Sequence, residues 1–136
     1  MRHLLLYLLM LLAAFTTAPA FAHHAFAAEY DIDKPITLKG ILTKVEWINP
    51  HGWVYVDVKD ASGKVVNWTI EFGAPNALLR RGFRKTDFPV GEEVEVKGYL
   101  AKSGKAVIAA TTVKLPDGRN FFAGSEGTGA PGAPAE

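Results

Sequence analysis

Residues 53–83 read WVYVDVKDASGKVVNWTIEFGAPNALLRRGF, and their pattern decides the fold. In Trp53–Lys59 the side chains alternate. Val54, Val56 and Val58 fall on one face, with Trp53, Tyr55 and Asp57 on the other. That period of two is the mark of a half-buried strand. Asp60-Ala61-Ser62-Gly63 is a hairpin turn, and Lys64–Phe72 returns as a second alternating strand. Pro75–Phe83 then changes character and predicts a short helix, with Pro75 at a first helical position and Gly82 as the stop.

Working outward, Ile36–Ile48 predicts a long first strand, ended by the Asn49-Pro50-His51-Gly52 turn. Downstream, Glu93–Leu100 and Lys105–Leu115 predict two more strands, and Pro116-Asp117-Gly118 turns into Arg119–Phe122. Three strands, a short helix and two strands predict an all-β fold, a small five-stranded OB-type barrel with the helix between strands three and four. Gly40 would relieve crowding where the first strand bends to serve two sheets. A barrel also removes exposed edges from a small sheet; the alternative is an open β-sandwich.

The flanks carry other signals. Met1-Arg2-His3 is basic, and Leu4–Phe15 is unbroken apolar sequence, shorter than the about 20 residues that span a bilayer. Small residues follow, with Ala20-Phe21-Ala22 favoured over Ala18-Pro19-Ala20 for cleavage. Residues 1–22 therefore read as a secretory signal and 23–122 as one domain, opened by the lead-in HHAFAAEYDIDK (23–34). Residues 123–136 read as a disordered Gly/Ala/Pro-rich tail. The expectation is an exported, periplasmic protein with no membrane span after cleavage.

Composition excludes several classes. The 136 residues include no Cys, so disulfides, thiolate metal sites and cysteine nucleophiles are out. Lys+Arg 15 against Asp+Glu 14 falls to equality once Arg2 is removed, which gives nucleic acid no electrostatic footing. The chain has no phosphate-cradling glycine loop, no G-x-S-x-G and no H-E-x-x-H. Ser62, Ser103 and Ser125 fall in turns or the tail, away from any His in sequence. The reading is a non-enzymatic module, its partner a small molecule, an envelope component or a periplasmic protein.

Two residue sets are candidates for chemistry. After cleavage, His23 and His24 sit at the new N-terminus and His51 in the first inter-strand turn. An α-amine with imidazoles suits copper or nickel, and imidazole also suits zinc. His23, His24 and His51 thus form a candidate copper site if the lead-in folds back to the turn; otherwise they are ordinary surface and turn residues. The second set is a ligand surface of Trp47, Trp53, Tyr55, Trp68 and Glu71, the aromatics being equally suited to filling a small core. Alternation puts Glu71 with Thr69 and Asn67, opposite Trp68, Ile70 and Phe72. If covered, Glu71 needs a partner such as Arg80, Arg81 or His51. A hydrolytic use of Glu71 with His51 is a third, weaker reading. Arg80, Arg81, Arg84 and Lys85 read as solvating the helix end.

The segments HHAF and EYD, VEWINPHGWVYVDVKD, NWTIEFGAPNALLRRGF and LPDGRNFFAGS together resemble a family of small exported bacterial proteins, domain of unknown function 6152. Phe83 stands where that family usually has Trp, and Ala77 where it has Gly. The resemblance implies a periplasmic protein of a Gram-negative bacterium and carries no activity with it.

Overall fold

The hairpin read from residues 53–72 is present in the computed structural model, which describes residues 26–125. The strands are β1 (Tyr30–Glu46), β2 (Trp53–Lys59), β3 (Val65–Glu71), β4 (Glu93–Ala101), β5 (Val107–Lys114) and β6 (Asn120–Phe122). One helix, α1 (Pro75–Arg80), lies between β3 and β4, followed by a 3-10 turn at Lys85–Asp87. The chain is mostly β. Its six strands form one sheet in the order β3-β2-β1-β4-β5-β6, and β3 also pairs with β5. Neighbours in that order are antiparallel; the β3–β5 pairing is parallel, over Thr69–Glu71 and Val107–Ala109.

β1 organises the sheet by pairing on both sides. Pro35–Ile41 faces β4, and Ile41–Glu46 faces β2. The two registers overlap at Ile41, next to Gly40. A Cβ on Gly40 would run into the backbone carbonyl of Asp57, so only glycine lets the strands approach there. Gly98 does the same on β4, against the carbonyl of Ala109 and beside a register shift.

The core follows the predicted alternation. Val54 and Val56 of β2 and Ile70 of β3 are buried with Leu38 and Leu42 of β1, Val94 and Val96 of β4, and Ile108 and Val113 of β5. Among the described residues no polar or charged residue is fully buried. α1 adds Leu78, and Phe88 after the 3-10 turn packs on Phe72, Trp47 and Phe121.

Several boundaries differ from the sequence reading. β1 begins at Tyr30 rather than Ile36: Tyr30 pairs with Ala101, and a register irregularity absorbs the polar residues before Pro35. The lead-in is therefore partly strand. β6 makes a sixth strand where five were expected, because Asn120, Phe121 and Phe122 pair with Lys114, Val113 and Thr112. α1 stops at Arg80 instead of Phe83. Gly82 adopts φ 89°, its N–H donates to the Leu79 carbonyl, and that of Phe83 donates to the Leu78 carbonyl. This is the double bond of a Schellman stop, and it sends Phe83 off to stack on Phe121 at 3.6 Å. Arg81 does not simply solvate the helix end. Its guanidinium donates to the carbonyls of Phe122 (3.2 Å) and Gly124 (3.4 Å). The first residues of the expected tail are tied down too: Gly73 N–H donates to Ala123 at 2.7 Å, and Ala123 is fully buried. The proposed signal segment, His23, His24 and residues 126–136 lie outside the described residues. Among the described residues, no helix is long and apolar enough to cross a membrane.

Gly98→Ala should destabilise the fold by about 1–3 kcal/mol, the usual range for forcing an atom into a packed contact. Denaturant midpoints measure this. A loss below about 0.5 kcal/mol, that of an ordinary surface change, would contradict the close β4–β5 approach.

Candidate functional site

Glu71 is the last residue of β3, where β3 touches two neighbours. It pairs with Trp53 of β2 and with Ala109 of β5. By alternation its side chain leaves the core side, yet it is not solvated: only 14% of it is exposed. Its cover is the part of the chain read as lead-in. Residues 26–29 form a helical turn that delivers Tyr30 to the start of β1. That turn is held by Lys102, whose N–H donates to the Glu29 carbonyl at 2.8 Å and whose ammonium donates to the Ala27 carbonyl. Phe26 packs on Tyr30 and Tyr99, with ring centroids 5.3 and 6.1 Å away.

Three polar groups converge on this corner. The Tyr30 hydroxyl donates to Oε2 of Glu71. His51 lies against the other oxygen, with Nδ1 at ion-pair contact with Oε1. Nδ1 itself is shut off from solvent and not aligned as a hydrogen bond, so the contact is one of proximity. The His51 side chain remains 39% exposed. Its place is set by the chain on either side of Gly52, which exchanges backbone bonds with Phe72 (2.7 Å) and Gly73 (3.2 Å) and so extends the β2–β3 ladder to the turn.

Burial raises the Tyr30 hydroxyl far above the ordinary tyrosine value, and the hydrogen bond to Glu71, its charge and that of Glu29 push the same way. A tyrosinate here would be desolvated and would face two carboxylates. Tyr30 is therefore a neutral donor at any physiological pH.

These groups open onto a cavity of about 340 Å³ lined by Phe26, Glu29, Tyr30, His51, Trp53 and Glu71, together with Phe72, Ala109, Ala110 and Ser125. Ser125, far from any histidine in sequence, thus shares a cavity with His51. The room for it comes from outside the core, between the sheet face and the covering turn at 26–29.

The predicted ligand surface is divided by the structure. Trp53 and Glu71 line the cavity. Tyr55 belongs to a separate cluster, donating to Glu46 at 3.0 Å, where Lys44 also binds Glu46. The Lys44 and Tyr55 bonds hold the Glu46 carboxyl below its ordinary range. Trp47 and Trp68 pack against the core on the other side of the sheet. Of the partners considered for Glu71, His51 is present and Arg81 is turned to Phe122 and Gly124 instead. Tyr30 was missed. Its only sequence signal was an aromatic residue within a polar lead-in. Among the described residues no three His, Asp or Glu side chains are grouped to hold a metal.

A sequence profile of a family of unknown function (DUF6152) matches residues 11–110. No curated protein matches the chain.

Because the folded chain favours the protonated phenol, the contribution of Tyr30 to stability is full below the unfolded tyrosine range, about pH 10, and falls as pH rises above it. Tyr30→Phe should cost about 1 kcal/mol at neutral pH through the lost Glu71 bond and should flatten the alkaline loss of stability. Denaturant midpoints across the alkaline range check this. Parallel curves for the two proteins would contradict it.

Proposed function

The chain belongs to this family of unknown function, so its role has to be read from its own residues, and we propose that it is an exported, periplasmic OB-type binding module without catalytic activity. The pairing order supports the barrel: β1 joins β2 and β4, these join β3 and β5, and β3 and β5 join each other. Residues 1–22, with their basic start, apolar run and A-x-A end, support export.

One observation carries the binding reading. Trp53, Tyr30, His51 and Glu71 converge on one cavity outside a core that is already filled. Small-molecule sites are concave, mostly apolar and fitted with a few placed polar groups, and their volumes run from roughly 300 to 1,000 Å³. The cavity of about 340 Å³ fits the lower end of that range. Hydrolysis is the weaker reading because it would need a nucleophile and a stabilised oxyanion in addition to a carboxylate–imidazole pair.

Native mass spectrometry of protein released from the periplasm by osmotic shock tests the proposal. The expected species begins at His23 and carries, or takes up from a periplasmic extract, a small-molecule adduct. Trp53→Ala should lose that adduct while keeping the circular dichroism of the parent. A chain kept in the cytoplasm with Met1 intact would defeat the export reading. A parent that holds and gains nothing would defeat the binding reading.

A second reading has its own support. The reading is copper or zinc held by His23, His24 and His51, and its support is that His51 shares a cavity with Phe26, at the N-terminal end of the described residues. His51→Ala should weaken copper binding at least tenfold, a loss typical of removing a metal ligand or its support. Unchanged affinity would leave only ordinary binding at a terminal histidine.

A further inference from the structure

The cavity between the sheet face and the turn at 26–29 has a marked chemical bias. Its lining holds two carboxylates, Glu29 and Glu71, and no lysine or arginine. Its other large groups are the rings of Phe26, Tyr30 and Trp53. We infer that this cavity binds a small organic ammonium ion, held by Glu71 and Glu29 and packed among those three rings. The inference deepens the binding reading and rests on it.

The physical case has three steps. An ammonium group near an aromatic ring is attracted by the ring quadrupole, more strongly as water is removed. A carboxylate accepts through both oxygens, each with more than one lone pair, so Glu71 keeps acceptor capacity beside Tyr30 and His51. The two carboxylates give the site a negative field, and after burial itself they also oppose ionisation of Tyr30. The same field repels an anionic ligand and draws in a cation. A fully hydrated inorganic ion gains little from the apolar walls, whereas an alkylammonium fills them with its chain and presents its charge to the carboxylates.

Size limits the ligand as well. A cavity of about 340 Å³ admits a compact amine and excludes a polymer except by its end. Glu29 is exposed at the rim and Glu71 covered at the back, so a ligand with one cationic head would set that head against Glu71.

Calorimetric titration of the purified protein with n-butylammonium, butyrate and 1-butanol, matched in size and different in charge, decides the matter. Butylammonium should bind at least tenfold more tightly than either of the others. Glu71→Gln keeps the shape and an acceptor for Tyr30, and should weaken butylammonium roughly tenfold, as expected for loss of a charge-assisted contact. Glu29→Gln, at the exposed rim, should cost roughly threefold and less in high salt. Tighter binding of butyrate or butanol would overturn the cationic ligand while leaving a binding cavity in place. Butylammonium binding that both variants leave unchanged would overturn the assignment to these residues. Failure of all three probes to bind would overturn both the ammonium inference and the reading of this cavity as a ligand site.

Discussion

β1 is the strand on which the rest of the structure depends, because it is paired on both sides. Its first half is held by β4 and its second by β2, and the change-over at Gly40–Ile41 brings three backbones together. The contact between Gly40 and the Asp57 carbonyl leaves no room for a side chain. Everything downstream inherits this geometry. β2 carries β3, β4 carries β5, and the two outer partners are thereby brought within reach of each other over Thr69–Glu71. A short sheet pinned in this way buries the centre of one face, where the core is built of aliphatic residues and a few phenylalanines with Leu78 from the helix.

The candidate site is a consequence of the same arrangement. Glu71 is placed at the end of β3 because β3 is held by both β2 and β5 there, and Tyr30 reaches it because β1 starts six residues before the point where its apolar pattern becomes visible. The covering turn at 26–29 has no core of its own. It is attached through Lys102 and through the Phe26 contacts with Tyr30 and Tyr99. A site assembled from a strand end, a turn histidine and a covering segment is open to adjustment in a way that a pocket cut into the filled core would not be.

Much of the fold was legible in the sequence for a simple reason. Trp53–Lys59 and Val65–Glu71 have one wet and one dry face, and an alternation of period two records that directly. Pro75 and Gly82 mark the helix because each has a backbone preference that few other residues share. Tyr30–Lys34 was not legible, since Asp31, Asp33 and Lys34 break the apolar alternation and the pairing with β4 is itself irregular between Tyr30 and Pro35. The site was half legible. Glu71 and His51 were paired as one option among several, from the cost of covering a carboxylate. Tyr30 was not found, because its contact with Glu71 spans 41 positions and no local pattern encodes it. Alternation separates Trp53 and Tyr55 from the valine face and Trp68 from Glu71, but only the packed structure shows that Trp53 lines the cavity while Trp47 and Trp68 pack on the core.

The polar corner is a costly way to close this end of the sheet. Burying charged and hydrogen-bonding groups seldom gains on a well-packed apolar alternative and often loses to it. The core follows that rule strictly, with no polar residue fully buried among those described. Against this background Tyr30, Glu71 and His51 stand apart. One is kept neutral by burial first and by two carboxylates second, one is a carboxylate left with little water, and one has a ring nitrogen sealed from solvent without an aligned partner. A leucine at position 71 would cover the same sheet end without these costs. Groups arranged at such expense beside an open cavity support the binding reading proposed for this corner.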